Sequence, residues 1–130
     1  MTGLVLVTHA GLAGALLRAA EMIVGKIEGC EQVEINTEDK ADDIMSRVVA
    51  AVDRVNADGT IIMTDLFGGT PSNMAMSFLK DGKIEVVTGA NLPMVIEFSS
   101  KRDCMATAEL AATIQKTGRE GIIVAGDFLR

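Results

Sequence analysis

The sequence predicts an α/β fold: a doubly wound, mostly parallel open sheet with helices on both faces. The expected strand order is 2-1-3-4, with a C-terminal edge strand that is antiparallel or exchanged between subunits. Three observations carry this. Short, nearly all-apolar runs (LVLVT, TIIMT, IEVVT) look like strands covered on both faces. Between them lie segments whose apolar residues recur at helical spacing. The two kinds of segment alternate, the pattern of strand–helix–strand crossovers. A length of 130 residues favours one domain over 1–130, able to bury roughly two-thirds of its unfolded surface.

Leu4–Thr8 is the first strand. Leu12, Leu16, Ala20, Ile23 and Ile27 then give helix one. Gln32–Ile35 is a short strand with alternating burial, placed near an edge. Thr37–Lys40 (TEDK) opens helix two, because its acids suit a helix N-terminus. Ile44, Val48, Val52 and Val55 form that helix's apolar stripe. The turn Ala57–Gly59 leads into a third strand, Thr60–Thr64. Helix three runs from Pro71 to about Leu79 and closes at Asp81–Gly82. Ile84–Thr88 is the fourth strand. Leu92 to about Thr117 is helical with a break near Ser99–Asp103, and Gly118 is its C-terminal glycine. Gly121–Ala125 (GIIVA) reads as the final strand. No repeat, low-complexity tract or linker interrupts the series.

Composition narrows the function. Net charge is −6, which argues against general nucleic-acid affinity, since that depends on Lys and Arg neutralising phosphates. With no Trp or Tyr and four Phe, stacking platforms for flavins or bases lose weight. No apolar run approaches the roughly 18 residues of a membrane span. The start MTGLVLVTHAG lacks a signal peptide's basic region, so a cytoplasmic protein is expected, without direct membrane insertion. Cys30 and Cys104 are far apart, and a single histidine cannot complete a zinc set with them. They read as reduced, mostly structural thiols.

Open parallel sheets bind ligands beyond the carboxyl ends of their strands, near a switch in strand order. The loops after strands one, three and four are therefore the ones to watch. They are Thr8-His9-Ala10-Gly11, TDLFGGTPSN (Thr64–Asn73) and TGANLPM (Thr88–Met94). If strands one and three are neighbours, His9 and Asp65 meet. A carboxylate that accepts from one ring nitrogen fixes the tautomer and leaves the other nitrogen's lone pair outward as a nucleophile. It also stabilises the cation formed on attack. Gly68 and Gly69 can bring N–H groups close to an anion. Thr70 at the N-cap, Pro71 at the first helical position and the Thr70 or Ser72 hydroxyl complete a phosphate cradle. The three loops together read as a phosphoryl site on His9. An apolar rim of Leu12, Leu66, Phe67, Pro93 and Met94 suits transient docking of two protein partners in turn.

At these residues the sequence resembles the IIA component of the mannose-type (mannose–fructose–sorbose) sugar phosphotransferase system, over essentially the whole chain. VTHAGLA is similar to the segment ending in that family's phosphorylated histidine, which implies His9. TDLFGGTPSN resembles its most specific signature, implying Asp65 as the histidine's partner and Thr70 as a phosphate-contacting hydroxyl. GANLPM implies Asn91, Pro93 and Met94 near the rim, and TGREGI (Thr117–Ile122) fits the C-terminal part. The resemblance implies a protein-histidine phosphotransferase. It would take a phosphoryl group from the carrier HPr and pass it to a IIB protein serving a membrane IIC/IID complex. It implies a homodimer and no cofactor or protein-bound metal. Departures are Ala10, where many members carry Gly, and Phe67, where Trp is common. No fused IIB domain follows, so a separate IIB partner is expected, and the acidic C-terminal region of some members is missing.

Other classes compete. A regulatory module of the same fold would report phosphorylation state to a partner without sugar transport. A receiver domain phosphorylated on Asp65 would need acidic residues after strand one, where Thr-His-Ala stands. A flavodoxin-like protein would need aromatics and a hydroxyl-rich first loop. The subunit serving dihydroxyacetone kinase departs at GGTPSN.

Overall fold

The computed structural model describes residues 1–55 and 57–130. In chain order its elements are β1 (Gly3–His9), α1 (Leu12–Val24), β2 (Cys30–Ile35), α2 (Ala41–Val55), β3 (Thr60–Thr64), α3 (Thr70–Met76), β4 (Ile84–Thr88), α4 (Leu92–Lys101) and α5 (Thr107–Glu120). A short 3₁₀ turn, Ala125–Leu129, follows. The four strands form one parallel sheet in the order β2-β1-β3-β4. From β1 the chain moves toward one edge of the sheet, and from β3 toward the other. The order therefore switches between β1 and β3, and that crevice is where such sheets place a ligand.

Alternation along the strands explains the layering. Successive side chains point to opposite faces. Leu4 and Leu6 of β1, with Ile61 and Met63 of β3, pack under Ala13, Ala20, Val95, Phe98, Leu110 and Ile114 of α1, α4 and α5. Val5 and Val7, with Ile62, pack under Ile44, Val48, Ala51 and Ala75 of α2 and α3. Both faces are thus covered, which is why β1 and β3 read as continuous apolar runs.

Several expectations need correction. GIIVA does not form a fifth strand in this chain. Gly121–Arg130 is exposed throughout and ends in the 3₁₀ turn, and among the described residues the free edge of β4 is met only by a single antiparallel bridge from Lys80 to Ile84. The antiparallel edge strand is absent because a β-rich run becomes a strand only where a partner edge is within reach. Helix two begins at Ala41, not within TEDK. The Asp39 carboxylate accepts the Asn36 N–H at 2.8 Å, closing a turn before the helix starts. Ile23 is 62 % exposed, while Ile27, beyond the end of α1 at Gly25, is buried in the core. Gly118 lies inside α5, and the helix ends at Gly121 instead. Its role is packing, because a Cβ at position 118 would stand 2.7 Å from the Met94 side chain.

Candidate active site

The crevice between β1 and β3 brings His9 and Asp65 together. His9 ends β1, and Asp65 directly follows β3. One carboxylate oxygen, Asp65 Oδ2, accepts the backbone N–H of His9 at 3.0 Å and lies 3.0 Å from His9 Nδ1. Because the backbone N–H must donate, that oxygen is an acceptor, and a neutral ring places its proton on Nδ1. Nε2 then carries the free lone pair. The His9 side chain is 48 % exposed and that of Asp65 only 12 %, so the nucleophile faces out and its orienter is sheltered. The hydroxyl of Thr64 and the second Asp65 oxygen, Oδ1, are buried with no hydrogen-bond partner among the described residues.

Local structure holds the ring. Ala10, in the left-handed region at φ 48°, turns the chain sharply after His9, and its N–H donates to the Ile35 carbonyl. Thr8 Oγ1 accepts the Ala13 N–H at 2.8 Å, and Glu34 Oε2 accepts the Gly14 N–H at 2.9 Å, satisfying the first turn of α1. Thr8 and Glu34 thereby brace the turn that carries His9. In the sequence, the threonine beside the histidine at a strand end is the one signal of this.

The GGTP loop closes over the other side. Gly68 has φ 92°, a conformation glycine adopts without strain. Gly69 stands against the imidazole: a Cβ there would lie 3.0 Å from His9 Cε1 and 3.4 Å from Nε2. Gly69 is the N-cap of α3, so Thr70 is the first helical residue and Pro71 the second, one position from the sequence expectation. Ser72 does not face the site. It is buried, its hydroxyl accepts the Gly68 N–H at 2.8 Å, and it donates to the Gly69 carbonyl at 3.1 Å. The Ser72 hydroxyl and the Gly68 N–H thus shape the loop and are not free for an anion. The N–H groups of Gly69 and Thr70 are not engaged by other described residues, and Thr70 is exposed.

The expected rim divides. Leu12, at the start of α1, and Leu66 and Phe67, in the loop after Asp65, are 42 %, 59 % and 70 % exposed. Met94 is buried in the core, which overturns its place on the rim. Asn91 and Pro93 are half-buried and turned to other work. Asn91 caps α4 by accepting the Met94 N–H and donates to the Gly118 carbonyl at 3.0 Å, while Pro93 packs beside Gly121. They brace α4 against α5.

A cleft of about 720 Å³ opens beside His9, lined also by Ala10, Ile35, Asn36–Asp39, Ile44 and Thr70. The Asn36 N–H, and then Arg47, hold the Asp39 carboxyl below its ordinary range. The two thiols lie elsewhere, and burial pushes that of Cys30 up to about 12, an unreactive group at neutral pH. Among the described residues no cluster of His, Cys, Asp and Glu fits a metal ion, and no helix is long and apolar enough to cross a membrane.

The chain is similar to known proteins over most of its length. Residues 3–115 match the family model described as "PTS system fructose IIA component". The chain is 30 % identical over 118 residues to the sorbose-specific EIIA component of Lacticaseibacillus casei, covering 90 % of this chain and 86 % of that protein. It is also 30 % identical to the mannose-specific EIIAB component of Escherichia coli K12, spanning 92 % of this chain but 38 % of that longer protein. The mannose/sorbose IIA subunit from Enterococcus faecalis superposes with a TM-score of 0.82 at 30 % identity, covering 95 % of this chain and 93 % of that one. An EIIA component from Streptococcus agalactiae shares the fold at a TM-score of 0.89 and 24 % identity, over 98 % of this chain and 99 % of that one. With the matched residues running from β1 into α5 and the fold shared throughout, the chain belongs to the mannose-type IIA family of sugar phosphotransferase system components.

Proposed function

We propose that residues 1–130 act as one phosphocarrier domain, accepting a phosphoryl group on His9 Nε2 from phospho-HPr and passing it to a histidine of a separate IIB protein. The observation that carries this is the hydrogen bond between His9 Nδ1 and Asp65 at 3.0 Å, which leaves the Nε2 lone pair free on a half-exposed side chain. In the first step the Nε2 lone pair attacks phosphorus while the donor's P–N bond breaks and the donor nitrogen keeps that electron pair. The proton stays on Nδ1 and donates to the Asp65 carboxylate, whose charge balances the cation developing on the ring. The N–H groups of Gly69 and Thr70 and the Thr70 hydroxyl offer donors for the phosphoryl oxygens. The second step is the same exchange onto the IIB nitrogen. Such transfer is positioning and charge stabilisation, and needs no resident cofactor. Leu12, Leu66 and Phe67 offer both partners one apolar patch.

Incubation with phospho-HPr is expected to give an acid-labile, base-stable phosphoprotein, and His9→Ala to abolish it. Full labelling of His9→Ala overturns the assignment. The family's part in sugar uptake extends to this chain through IIB and, beyond it, a membrane IIC/IID complex.

The chain is further proposed to work as a homodimer in the cytoplasm. Ile122, Ile123, Val124, Phe128 and Leu129 are all more than half exposed in the C-terminal segment, and beyond the Lys80–Ile84 bridge no other described strand pairs with the edge of β4. An exchanged strand would satisfy both. Sedimentation is expected to show a dimer that truncation after Gly121 converts to monomer. A truncated chain that stays dimeric excludes the exchange.

A further inference from the structure

The site is short of positive charge. A phosphoryl group entering it carries about two negative charges, and it must come close to Asp65. The cleft beside His9 is lined by nine residues, among them Glu38 and Asp39 but no Lys or Arg. Arg47, behind this wall, is already engaged: it donates to Asp39 Oδ2 at 2.8 Å and to the Glu34 carbonyl at 2.8 Å, and Lys40, exposed after Asp39, is not among the lining residues. Asp39 is thereby neutralised. Glu38 is exposed and makes no hydrogen bond or ion pair with any described residue. The loop that presents it is fixed, because the Asn36 N–H donates to Asp39 and Arg47 ties that turn back to β2. A held, unpaired carboxylate thus lines the same cleft as the reactive imidazole and Thr70.

Transfer between two nitrogens passes through a loose, highly charged transition state, and its stabilisation is electrostatic. The residues that line the cleft are neutral donors or anions. A basic group brought by the partner would supply the charge that this lining lacks. The phosphorylated donor needs it more than the unphosphorylated acceptor does. The donor brings an anion toward a chain of net charge −6 and an acidic cleft, an encounter that is repulsive unless a positive group leads it.

We propose that the cleft between His9 and the Asn36–Asp39 loop receives a basic side chain of the phosphoryl-donor protein, and that Glu38 is the residue that recognises it. The basic group sits between the Glu38 carboxylate and the phosphoryl oxygens, so one contact both docks the donor and offsets the charge being transferred. Docking then uses two unlike walls. The apolar wall of Leu12, Leu66 and Phe67 is indifferent to the partner's charge, whereas the Glu38 wall selects it. This rests on the phosphocarrier reading of His9.

The test is steady-state labelling of the full chain by phospho-HPr as ionic strength is varied. Glu38→Gln is expected to raise KM about three- to tenfold with kcat within about twofold, and Glu38→Lys to raise KM further. The gap from wild type should narrow as salt rises. Asp81→Asn, at the exposed turn at the opposite end of the sheet, should match wild type. Glu38 makes no internal contact, so circular dichroism of both variants should be unchanged. Wild-type labelling on His9 with KM unmoved in both Glu38 variants overturns the proposal alone. An effect confined to hand-over to IIB overturns the choice of the donor. No labelling of wild type overturns the phosphocarrier reading, and this inference with it.

Discussion

The loops after β3 and β4 leave adjacent strands at the same end of the sheet, and both place a Pro within two residues of a Thr or Asn at a helix start. One builds a reactive site and the other a brace. In the loop after β3, Asp65 reaches across to His9 and Gly69 lies against its ring. In the loop after β4, Asn91 turns inward, capping α4 and donating to Gly118 of α5, while Met94 enters the core. The difference is position in the sheet. β3 is hydrogen-bonded to β1, at the point where the strand order switches, whereas β4 is an edge strand with α5 beside it. The carboxyl end of a strand nominates a loop, but the neighbouring strand decides what the loop can do.

The sharpest way to break this comparison is to disarm the first loop. Asp65→Ala removes the acceptor for both the His9 backbone N–H and Nδ1. Phosphoryl acceptance from phospho-HPr should fall about 10³-fold. Asp65→Asn should be milder, about ten- to a hundredfold. The His9 backbone N–H demands an acceptor at that spot, so the amide would turn its oxygen there and keep the tautomer while losing the charge. Equal losses in the two variants would show that orientation alone matters. Gly69→Ala comes next: a Cβ 3.0 Å from Cε1 pushes the ring by a few tenths of an ångström, and a loss of about tenfold in kcat is expected at unchanged stability.

The second loop should fail differently. Asn91→Ala deletes the α4 cap and the bond to the Gly118 carbonyl, for a loss of about 2 kcal/mol measured by denaturant unfolding. Transfer by the folded fraction should stay within about twofold. A large rate defect without destabilisation would return Asn91 to the site.

Much of this arrangement was legible in the sequence. β1 and β3 are short apolar runs, so their places in the chain read directly. His9, Asp65 and the GGTP turn stood out because reactive and loop-forming residue types met at expected strand ends. What was illegible depended on contacts between distant segments. Ser72 is a hydroxyl beside a phosphate-like loop, yet only the fold shows both of its hydrogen bonds going to Gly68 and Gly69. Gly118 looks like a helix terminator until Met94 is seen against it. GIIVA has the composition of a strand, and composition does not say whether its partner edge lies in the same chain. TEDK has the acids of a helix start, but the bond from the Asn36 N–H to Asp39 turns them into a wall of the cleft.

That last loop supplies a third case, between site and brace, and the smallest effect. In the folded chain the Asn36 N–H and Arg47 favour the ionised form of Asp39, so its carboxyl titrates below the ordinary value. A lowered folded value means the contribution to stability is complete above the unfolded value and is lost as the pH falls through the folded one. The group is on the surface, so the effect on global stability should be slight. The local effect is what distinguishes the cases. On acidification the Asn36 amide resonance should move with a midpoint below that of a free aspartate, and Asp39→Asn should remove the transition. If the loop only braces α2, the wall of the cleft should hold its place through that midpoint. If it belongs to the docking surface, KM for phospho-HPr in Asp39→Asn should rise about twofold at neutral pH, because Arg47 is released and Glu38 loses its fixed presentation. A midpoint at or above the ordinary carboxylate value would remove the Asn36–Asp39 tie from the account.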